Sequence, residues 1–349
     1  MKTDRDLGIA VVIPVYNLEN YVEAAIRSVV QQPYKNIWVI CVDDGSTDSS
    51  VDVIKQIICE DSRVTLLQQA NGGVSTARNR GIEYVLAHTS AEYVMFLDGD
   101  DVWCKDWLDA DVVKILNQKY DTVCFDACSV NHSLTFRTPY EHPYTGVVCG
   151  GNAAVDVNHT MWFATAFRTE LLKEYSVRFH EGQRYGEDLC FLLETRSLSK
   201  ECCFVEKLIY LYRDRPGSAV RRHIPAVVYF PTLFDGWFRS YEKLKDDGII
   251  SKSALRKINW YIPDMVECHY RDGGSTAQLS AVLQKYVDRL EQEGFCEEKT
   301  RNWKKQISCT YIAKQRYIGV AIRLSKWLRC IPAYRKIKER KRYPIPMEY

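Results

Sequence analysis

Ile9–Val15 reads IAVVIPV, an uninterrupted apolar run that is typical of a β-strand buried on both faces of a sheet. Two more runs of this kind follow, Asn36–Val42 (NIWVICV) and Tyr93–Leu97 (YVMFL). Segments with helical spacing lie between the strands, notably Glu19–Gln32 and Val74–Ala87. Strands that alternate with helices in this way indicate an α/β fold, a mostly parallel sheet with helices on both faces.

Within the same stretch we expect a short strand at Arg63–Gln68 and, before it, a helix through Ile54 that begins after Ser46 or Thr47 as its cap. After Val102 the alternation becomes less regular. The predicted elements there are helices at Trp107–Gln118, Phe167–Tyr175 and Asp188–Ser197, strands at Thr122–Asp126 and Phe204–Tyr212, and mostly loop from Ala127 to Thr160.

Beyond about Pro225 only helical patterns recur, at roughly 232–246, 252–269, 275–293 and 298–330. We therefore predict two parts, an α/β domain at residues 1–224 and an all-helical C-terminal region at residues 225–349.

The composition is that of a globular protein, with 349 residues, 46% hydrophobic residues and 47 Lys+Arg against 45 Asp+Glu. It excludes a disordered, collagen-like or coiled-coil chain. The near-neutral balance hides an asymmetry, because residues 301–349 carry a net charge of +12 and residues 1–300 a net charge of −10. A basic amphipathic tail of this kind predicts an anionic partner.

The 13 cysteines are scattered without a CxxC pair, which favours a reducing compartment over a disulfide framework or a zinc site. The N-terminal residues MKTDRDLG do not have the pattern of a signal peptide. The longest apolar stretches, Leu7–Tyr16 and Ile224–Phe234, are too short to span a bilayer. We therefore expect a cytoplasmic protein.

Carboxylates follow two of the predicted strands at the point where each strand ends. Asp43 and Asp44 come after the second strand, and Asp98-Gly99-Asp100-Asp101 after the fourth. The carboxyl ends of parallel strands share one sheet edge, where such folds bind ligands. Clustered carboxylates with substrate phosphates are typical of Mg²⁺ or Mn²⁺ sites, although a single pair could simply cap a turn. The first strand ends in Pro14-Val15-Tyr16-Asn17, so the GxGxxG dinucleotide pattern is absent there.

Six segments in order resemble the family 2 glycosyltransferases: VVIPVYNLENYV, VDDGSTDSS, NGGVSTARNRGI, FLDGDDVW, FHEGQRYGEDLCF at 179–191 and YLYRDRPGS at 210–218. They cover roughly residues 8–222. The resemblance implies a GT-A fold with a nucleotide-sugar half at about 8–102 and an acceptor half at about 103–224. It also implies inversion at the sugar carbon and a UDP-sugar donor, as in bacterial surface-polysaccharide glycosyltransferases.

The resemblance further implies a donor pocket formed by Pro14, Tyr16, Asn17, Glu19, Asp44, Arg78 and Asp98. In it Tyr16 would lie against the uracil ring and Asp44 would accept a hydrogen bond from the uracil N–H. Arg78 would reach the donor phosphates, or else be a solvent-exposed helix residue. Glu19 could equally be an acidic residue that favours a helix N-terminus.

By the same resemblance, Asp98 and Asp100 form the DxD motif. Asp100 would ligate Mn²⁺ or Mg²⁺, and Asp98 would contact the ribose or a metal-bound water. Asp188 matches the general base that removes the acceptor proton, with Glu187 as its rival. Trp103 is expected to pack rather than to contact sugar. The segment after the last strand offers further contacts to phosphate from Arg213, Arg215, Ser218 and His223.

The predicted function is transfer of one hexosyl or N-acetylhexosaminyl unit to a glycan or lipid-linked glycan. A processive synthase is disfavoured, because the QxxRW segment and membrane spans are absent from the sequence. Two alternatives remain open: a nucleotidyltransferase with a similar sheet, and a sugar-nucleotide-binding module without catalysis. We expect the basic tail to bind an anionic membrane at the inner face of the cell, and we expect no nucleic-acid partner.

Overall fold

A computed structural model of the chain describes residues 7–134, 136–139, 145–149, 161–215, 224–245, 253–296 and 343–344. The first part alternates strands and helices: β1 (Ile9–Val15), α1 (Val22–Val30), β2 (Ile37–Asp43), α2 (Ser50–Glu60), β3 (Val64–Gln68), α3 (Val74–His88) and β4 (Tyr93–Phe96). Every residue of β1 and β4 is buried, as their apolar runs predict.

The strands of this part pair in parallel in the order β4-β1-β2-β3, with Val12 opposite both Ile40 and Phe96. The chain adds β2 and β3 on one side of β1 and then crosses to place β4 on the other side. The carboxyl ends of β1 and β4 therefore flank the point where the strand order reverses, which is where open α/β sheets bind ligands.

Alternate residues of β1 point to two different apolar cores. Ala10 and Val12 pack with α3 on one face, and Val11 and Ile13 pack with α1 and α2 on the other. These two cores account for the helices on both faces, because each face of a fully buried sheet needs an apolar cover.

The second part continues the same sheet with mixed pairing. Its elements are β5 (Val102–Trp103), α4 (Ala110–Leu116), β6 (Thr122–Asn131), β7 (Phe136–Pro139), β8 (Gly146–Cys149), β9 (Thr165–Arg168), α5 (Thr169–Glu174), α6 (Glu187–Leu198) and β10 (Glu201–Asp214). β10 runs parallel to β6 and antiparallel to β5 and β8.

Two local predictions in this part are wrong. The expected helix at Phe167–Tyr175 begins only at Thr169, because the residues before it form β9, which pairs antiparallel with both β4 and β6. The expected loop after Ala127 instead contains the end of β6 and the strands β7 and β8. In both places pairing with distant strands outweighs the local pattern.

The described C-terminal part contains three helices, α7 (Ala226–Leu244), α8 (Ser253–Arg271) and α9 (Thr276–Gln292). α7 begins six residues before the predicted helix, since Pro231 lies inside it rather than before it. A two-residue strand, β11 (Tyr343–Pro344), pairs antiparallel with β7. The predicted helix at 298–330 lies outside the described residues.

One of the two cores extends from the sheet through α6 into the C-terminal helices. It includes Phe191 of α6, Trp237 of α7 and Leu283 of α9. The predicted fold class, an α/β sheet with helices on both faces and a helical region after it, is confirmed within the described ranges. In those ranges, no helix combines the length and the apolar character needed to cross a bilayer.

Candidate active site

A cleft of about 1050 Å³ opens at the carboxyl ends of β1, β2 and β4. Its walls come from segments that are far apart in sequence. The residues of interest that line it are Pro14, Tyr16, Asp44, Arg78, Asp98, Asp100, Trp162, Phe163, Arg184, Tyr185, Glu187, Asp188, Tyr212, Arg215 and Tyr229. The fold thus brings most of the sequence-predicted site residues into one cavity.

One end of the cleft combines an exposed aromatic ring with a buried carboxylate. Tyr16 is 49% exposed, the largest exposure among the large hydrophobic side chains that the structure describes. Asp44 accepts hydrogen bonds at 2.8 Å from Gln69 Nε2, Gly72 N and Gly73 N. These donors fix the orientation of the Asp44 carboxylate, and acceptor capacity remains for a further N–H. The pair can hold a flat ring that carries an N–H donor.

Asn17 and Glu19, both predicted to bind the donor, do not line the cleft. Asn17 Oδ1 accepts from Thr47 N at 2.8 Å, and Asn17 N donates to Ser46 Oγ at 3.0 Å. Glu19 Oε2 accepts from Ser49 N at 3.0 Å, beside the start of α2. Ser46 therefore binds the β1 loop instead of capping α2. The two residues join the loops after β1 and β2, and so support the Tyr16 end of the cleft without lining it.

The segment Asp98-Gly99-Asp100-Asp101 places two carboxylates in the cleft and one in the core. Asp98 and Asp100 face the cleft, whereas Asp101 is buried and accepts from Tyr210 Oη and Arg213 N, both at 2.7 Å. Tyr210 Oη also accepts from Asp98 N at 3.1 Å. Asp101 and Tyr210 thus hold the backbone of the motif from below.

Gly99 is required between the two cleft aspartates because its Cα faces the end of β1. A Cβ at this position would lie 2.8 Å from Leu18 Cδ1 and 3.0 Å from Pro14 O. A larger residue would displace the loop, and with it Asp98 and Asp100.

Asp98 and Asp100 are suited to one divalent cation. Burial, and then the charge of Asp98, raises the pKa of Asp100, although the Arg215 guanidinium opposes the shift. Within the described ranges, no group of three or more His, Cys, Asp or Glu side chains is placed to hold a metal. Two carboxylates with substrate phosphates and water would complete the shell that Mg²⁺ or Mn²⁺ needs.

Arg78 is buried in the floor of the cleft rather than exposed on α3. It donates to Asp98 Oδ1 at 2.8 Å and to Glu187 Oε1 at 3.2 Å, and its guanidinium carbon lies 4.3 Å from the centre of the Trp162 ring. Burial opposes its charge, but the charges of Asp98 and Glu187 outweigh burial, so the pKa of Arg78 is raised. Arg78 therefore couples the carboxylates of the β4 loop to those of α6.

Glu187 and Asp188 occupy the first turn of α6, after Gly186 with a φ of 72°. Burial and the charge of Asp188 raise the pKa of Glu187 to about 7, against the opposing effect of Arg78. Burial also raises the pKa of Asp188, although Arg78 opposes it. The Glu187 carboxyl can therefore exchange protons near neutral pH. In the described residues Asp188 forms no ion pair, whereas Glu187 is bound to Arg78.

The two arginines at the end of β10 lie in different environments. Arg215 lines the cleft and donates from Nε to Asp100 Oδ2 at 2.6 Å. Arg213 is buried in β10, where its side chain donates to Asp100 O and His132 O. The expectation that Arg213 contacts phosphate is therefore not supported by its position, and Ser218 and His223 lie outside the described residues.

Trp103 packs in the core against Trp107, with ring centres 5.0 Å apart, in keeping with its expected packing role. Sequence reasoning missed a set of cleft residues on the far side from Tyr16. They are Trp162, Phe163, Arg184, Tyr185, Tyr212 and Tyr229. Tyr212 lies in a matched segment without an assigned role. Tyr229 belongs to an amphipathic helix whose pattern gives no sign of a site.

Comparisons with known proteins agree with this architecture. The model of the family described as "Glycosyl transferase family 2" matches residues 10–176. EpsH of Bacillus subtilis (strain 168), named as a glycosyltransferase, is 33% identical over 67% of this chain and 67% of its own length. Glycosyltransferase GlyA of Streptococcus pneumoniae serotype 4 is 30% identical over 62% of this chain, which spans about a third of GlyA (32%).

Among solved structures, residues 1–349 of S. aureus TarS in complex with UDP-GlcNAc superpose with a TM-score of 0.66. The match covers 91% of this chain and 92% of that one at 17% sequence identity. At this identity the likeness concerns the fold, and it includes the helices that follow the sheet.

Proposed function

The chain belongs to glycosyl transferase family 2, and we propose that it moves one sugar from a UDP-sugar to a hydroxyl group of a glycan or lipid-linked glycan, with inversion. One observation carries the proposal. A single cleft holds an aromatic ring beside a carboxylate acceptor, two carboxylates suited to a metal, and two carboxyls of raised pKa.

The geometry at Tyr16 and Asp44 supports the proposed donor half. The Tyr16 ring would stack on the uracil, and the oriented Asp44 carboxylate would accept its N–H. Asp98 lines the same cleft, and the ribose and diphosphate would extend from the uracil toward it. TarS, which shares the fold, is known in complex with UDP-GlcNAc, so UDP-GlcNAc is the first donor to test.

A Mn²⁺ or Mg²⁺ ion would be held by Asp100, with Asp98 beside it, and would neutralise the charge that develops on the leaving UDP. This assignment fits the position of both carboxylates on the wall of the cleft. Arg215, at hydrogen-bond distance from Asp100, and Arg78, at hydrogen-bond distance from Asp98, are the protein cations nearest to the same place.

Asp188 is the proposed general base. An inverting transfer needs a base on the face of the sugar opposite to the leaving group, to take the proton of the attacking hydroxyl. Glu187 is tied to the Arg78 guanidinium, which leaves Asp188 as the carboxyl available to an acceptor. Burial raises the pKa of Asp188, although Arg78 opposes the shift, and the higher proton affinity strengthens the carboxylate as a base.

We place the catalytic domain at residues 1–224, with the nucleotide-sugar half at about 8–102 and the acceptor half at about 103–224, and the helical region at 225–349. The proposed setting is polysaccharide biosynthesis in the cytoplasm. The basic tail, with 14 Lys+Arg and two acidic residues from Arg301 onward, would hold the enzyme on the inner face of the membrane. We propose that the transferred group is a hexosyl or N-acetylhexosaminyl unit, in keeping with a UDP-sugar donor.

The test is UDP release from a panel of UDP-sugars, with and without Mn²⁺, by the full chain. We expect release with one or a few UDP-sugars, dependent on Mn²⁺ or Mg²⁺. Binding of UDP without turnover of any donor would indicate a catalytically silent module. Release of pyrophosphate from a nucleoside triphosphate and a sugar phosphate would instead indicate a nucleotidyltransferase.

A further inference from the structure

The wall of the cleft beside Asp188 is aromatic and comes from two parts of the chain. Tyr185 lies in the loop before α6, and Tyr229 lies in α7. Their ring centres are 6.0 Å apart with an interplanar angle of 44°, so the rings form an angled wall instead of stacking on each other. Tyrosine rings combine an apolar face with a polar edge, which suits the apolar face and the hydroxyl groups of a sugar ring.

The polar groups of this wall, the two tyrosine hydroxyls and the Arg184 guanidinium, remain available to a ligand within the described part of the chain. Within the described part of the chain, neither tyrosine hydroxyl has a hydrogen-bond partner. Three arginines line the cleft, and two of them, Arg78 and Arg215, form ion pairs with carboxylates. Arg184 is exposed and has no carboxylate partner among the described residues. Its guanidinium carbon lies 5.7 Å from the centre of the Tyr185 ring, at the edge of the wall.

The loop that carries Arg184 and Tyr185 is held in place by partly buried contacts. Gln183 Nε2 donates to Tyr185 O at 2.9 Å, and Gln183 Oε1 lies 3.1 Å from His180 Nδ1. A Cβ at Gly236 of α7 would come within 2.5 Å of the Gln183 amide, so the helix closes over it. The wall is therefore pre-organised, which lowers the ordering cost of binding.

The two ends of this wall differ in charge, negative near Asp188 and positive at Arg184. Near the base, burial and the charge of Asp188 raise the pKa of Tyr229 to about 12, and Glu187 adds to the same negative field. An anionic group would be repelled there, whereas Arg184 offers a bidentate partner at the rim. A ligand that fits the wall has a neutral hydroxyl at one end and a negative group at the other.

We infer that Tyr185, Tyr229 and Arg184 form the acceptor subsite, and that the acceptor is a sugar unit that carries an anionic substituent, a phosphate or a carboxylate. The sugar ring lies against the two tyrosines, its anionic group binds Arg184, and the hydroxyl to be glycosylated faces Asp188. This inference rests on the proposed function, of which it names the acceptor class.

The test measures binding of methyl glucosides and methyl galactosides by ligand-observed NMR, each as the neutral sugar, the 6-phosphate and the uronate. The full chain is titrated with and without UDP and Mn²⁺. We expect at least one charged series to bind about tenfold more tightly than its neutral counterpart. Comparison of phosphate with uronate identifies which anion the subsite takes.

Variants assign the effect to these residues. Arg184→Gln should bring charged and neutral glycosides to similar affinity and leave UDP affinity unchanged, whereas Arg239→Gln, an exposed arginine of α7 outside the cleft, should keep the preference. Tyr229→Leu should weaken the binding of all glycosides, and Tyr229→Phe should retain the part of the affinity that comes from the aromatic ring.

Equal binding of neutral and charged glycosides in both series, or no detectable binding, would overturn the inference. A preference that survives Arg184→Gln, or inorganic phosphate that binds as tightly as the glycoside phosphates, would do the same. UDP binding by the wild type is read separately. Its failure would count against the proposed donor site, and the titrations without UDP would still report on the acceptor subsite.

Discussion

Arg215 donates its Nε hydrogen to Asp100 Oδ2 at 2.6 Å, although 115 positions separate the two residues in the sequence. The pair connects the motif after β4 to the end of β10. Even with this cation in contact, burial and the charge of Asp98 keep the pKa of Asp100 raised. Burial therefore disfavours the charged form of Asp100, which a bound metal ion would favour.

Asp100→Ala should abolish turnover and remove most of the Mn²⁺-dependent affinity for UDP. The reason is that the substitution takes away the carboxylate assigned to the metal, while the Tyr16 and Asp44 end stays intact. Calorimetric titration of UDP with and without Mn²⁺ measures the effect. Asp52→Ala, on the exposed surface of α2, is the matched control and should behave as the wild type. UDP binding by Asp100→Ala with unchanged Mn²⁺ dependence would show that the metal lies elsewhere.

Asp188→Asn should leave UDP affinity near normal and slow sugar transfer by about 10²- to 10⁴-fold, the usual contribution of a general base. The amide keeps the shape of the side chain and removes its basicity. Because the pKa of Asp188 is raised, the wild-type rate should fall as pH is lowered through that pKa, and the residual rate of the variant should lose this dependence. The measurement is the pH profile of UDP release.

Glu187→Gln serves as the comparison for that experiment. Glu187, with a pKa of about 7, contributes negative charge to the same turn, so its removal should shift the acidic limb of the profile to lower pH. A loss of rate confined to Glu187→Gln, with Asp188→Asn near wild type, would exchange the roles of the two residues.

Lys243→Gln should lower the free energy of unfolding by about 1–3 kcal/mol at pH 7, because it leaves a buried carboxylate without its cation. Glu194 is fully buried, and Lys243 Nζ lies 2.8 Å from its Oε2. Lys285→Gln is the matched control. Its pair with Asp235 is exposed, with Lys285 at 60%, so its loss should cost at most about 1 kcal/mol. Urea denaturation of the two variants measures the difference.

The sign of the pH dependence follows from Glu194. Burial raises its pKa, but the hydrogen bond from His180 and the charge of Lys243 outweigh burial, so the folded-state pKa is lowered. A lowered carboxyl pKa contributes stability at neutral pH that is lost as pH falls through the folded-state value. The gap between Lys243→Gln and wild type should therefore shrink in acid. A gap that stays constant with pH would mean that the lysine stabilises only through packing.

Gly186→Ala should destabilise the fold more than Gly182→Ala, by about 1–3 kcal/mol. Both glycines have a positive φ, 72° and 73°, so both substitutions carry the same backbone strain. Only at Gly186 would the new Cβ meet a neighbour, Leu233 Cδ1 of α7 at 2.5 Å, whereas Gly182 has nothing within 4 Å. Equal urea midpoints for the two variants would show that α7 yields without cost at this contact.

The full chain should sediment with anionic vesicles at low salt, and a chain ending at Thr300 should not. Residues 301–349 carry a net charge of +12, and each Lys or Arg near an anionic surface contributes about 1 kcal/mol. Added salt should weaken the binding, and neutral vesicles should not support it. Equal sedimentation of both chains would show that the tail is not needed for membrane binding, provided that a cooperative thermal transition shows each chain to be folded.

Much of the sheet around β1 was predictable from the sequence because its signals are local. The apolar runs of β1, β2 and β4 specify strands buried on both faces, and parallel pairing then brings their carboxyl ends to one edge. Any carboxylate that directly follows such a strand must lie at that edge. Asp44, Asp98 and Asp100 were therefore placed together before any contact was known.

Other features depended on residues that no local pattern connects. The antiparallel insertion of β9, the contact of Arg215 with Asp100 and the arrival of Tyr229 beside Asp188 all depend on how α6, α7 and β10 pack on the sheet. Glu19 shows the same limit. From the sequence, its carboxylate could bind a ligand or favour a helix N-terminus, and only the tertiary structure shows that it accepts a hydrogen bond from Ser49 N, just before α2. Periodicity within a window encodes which face of an element is buried. Contacts between distant segments are decided by the packing of the whole core, where steric fit and charge select one arrangement.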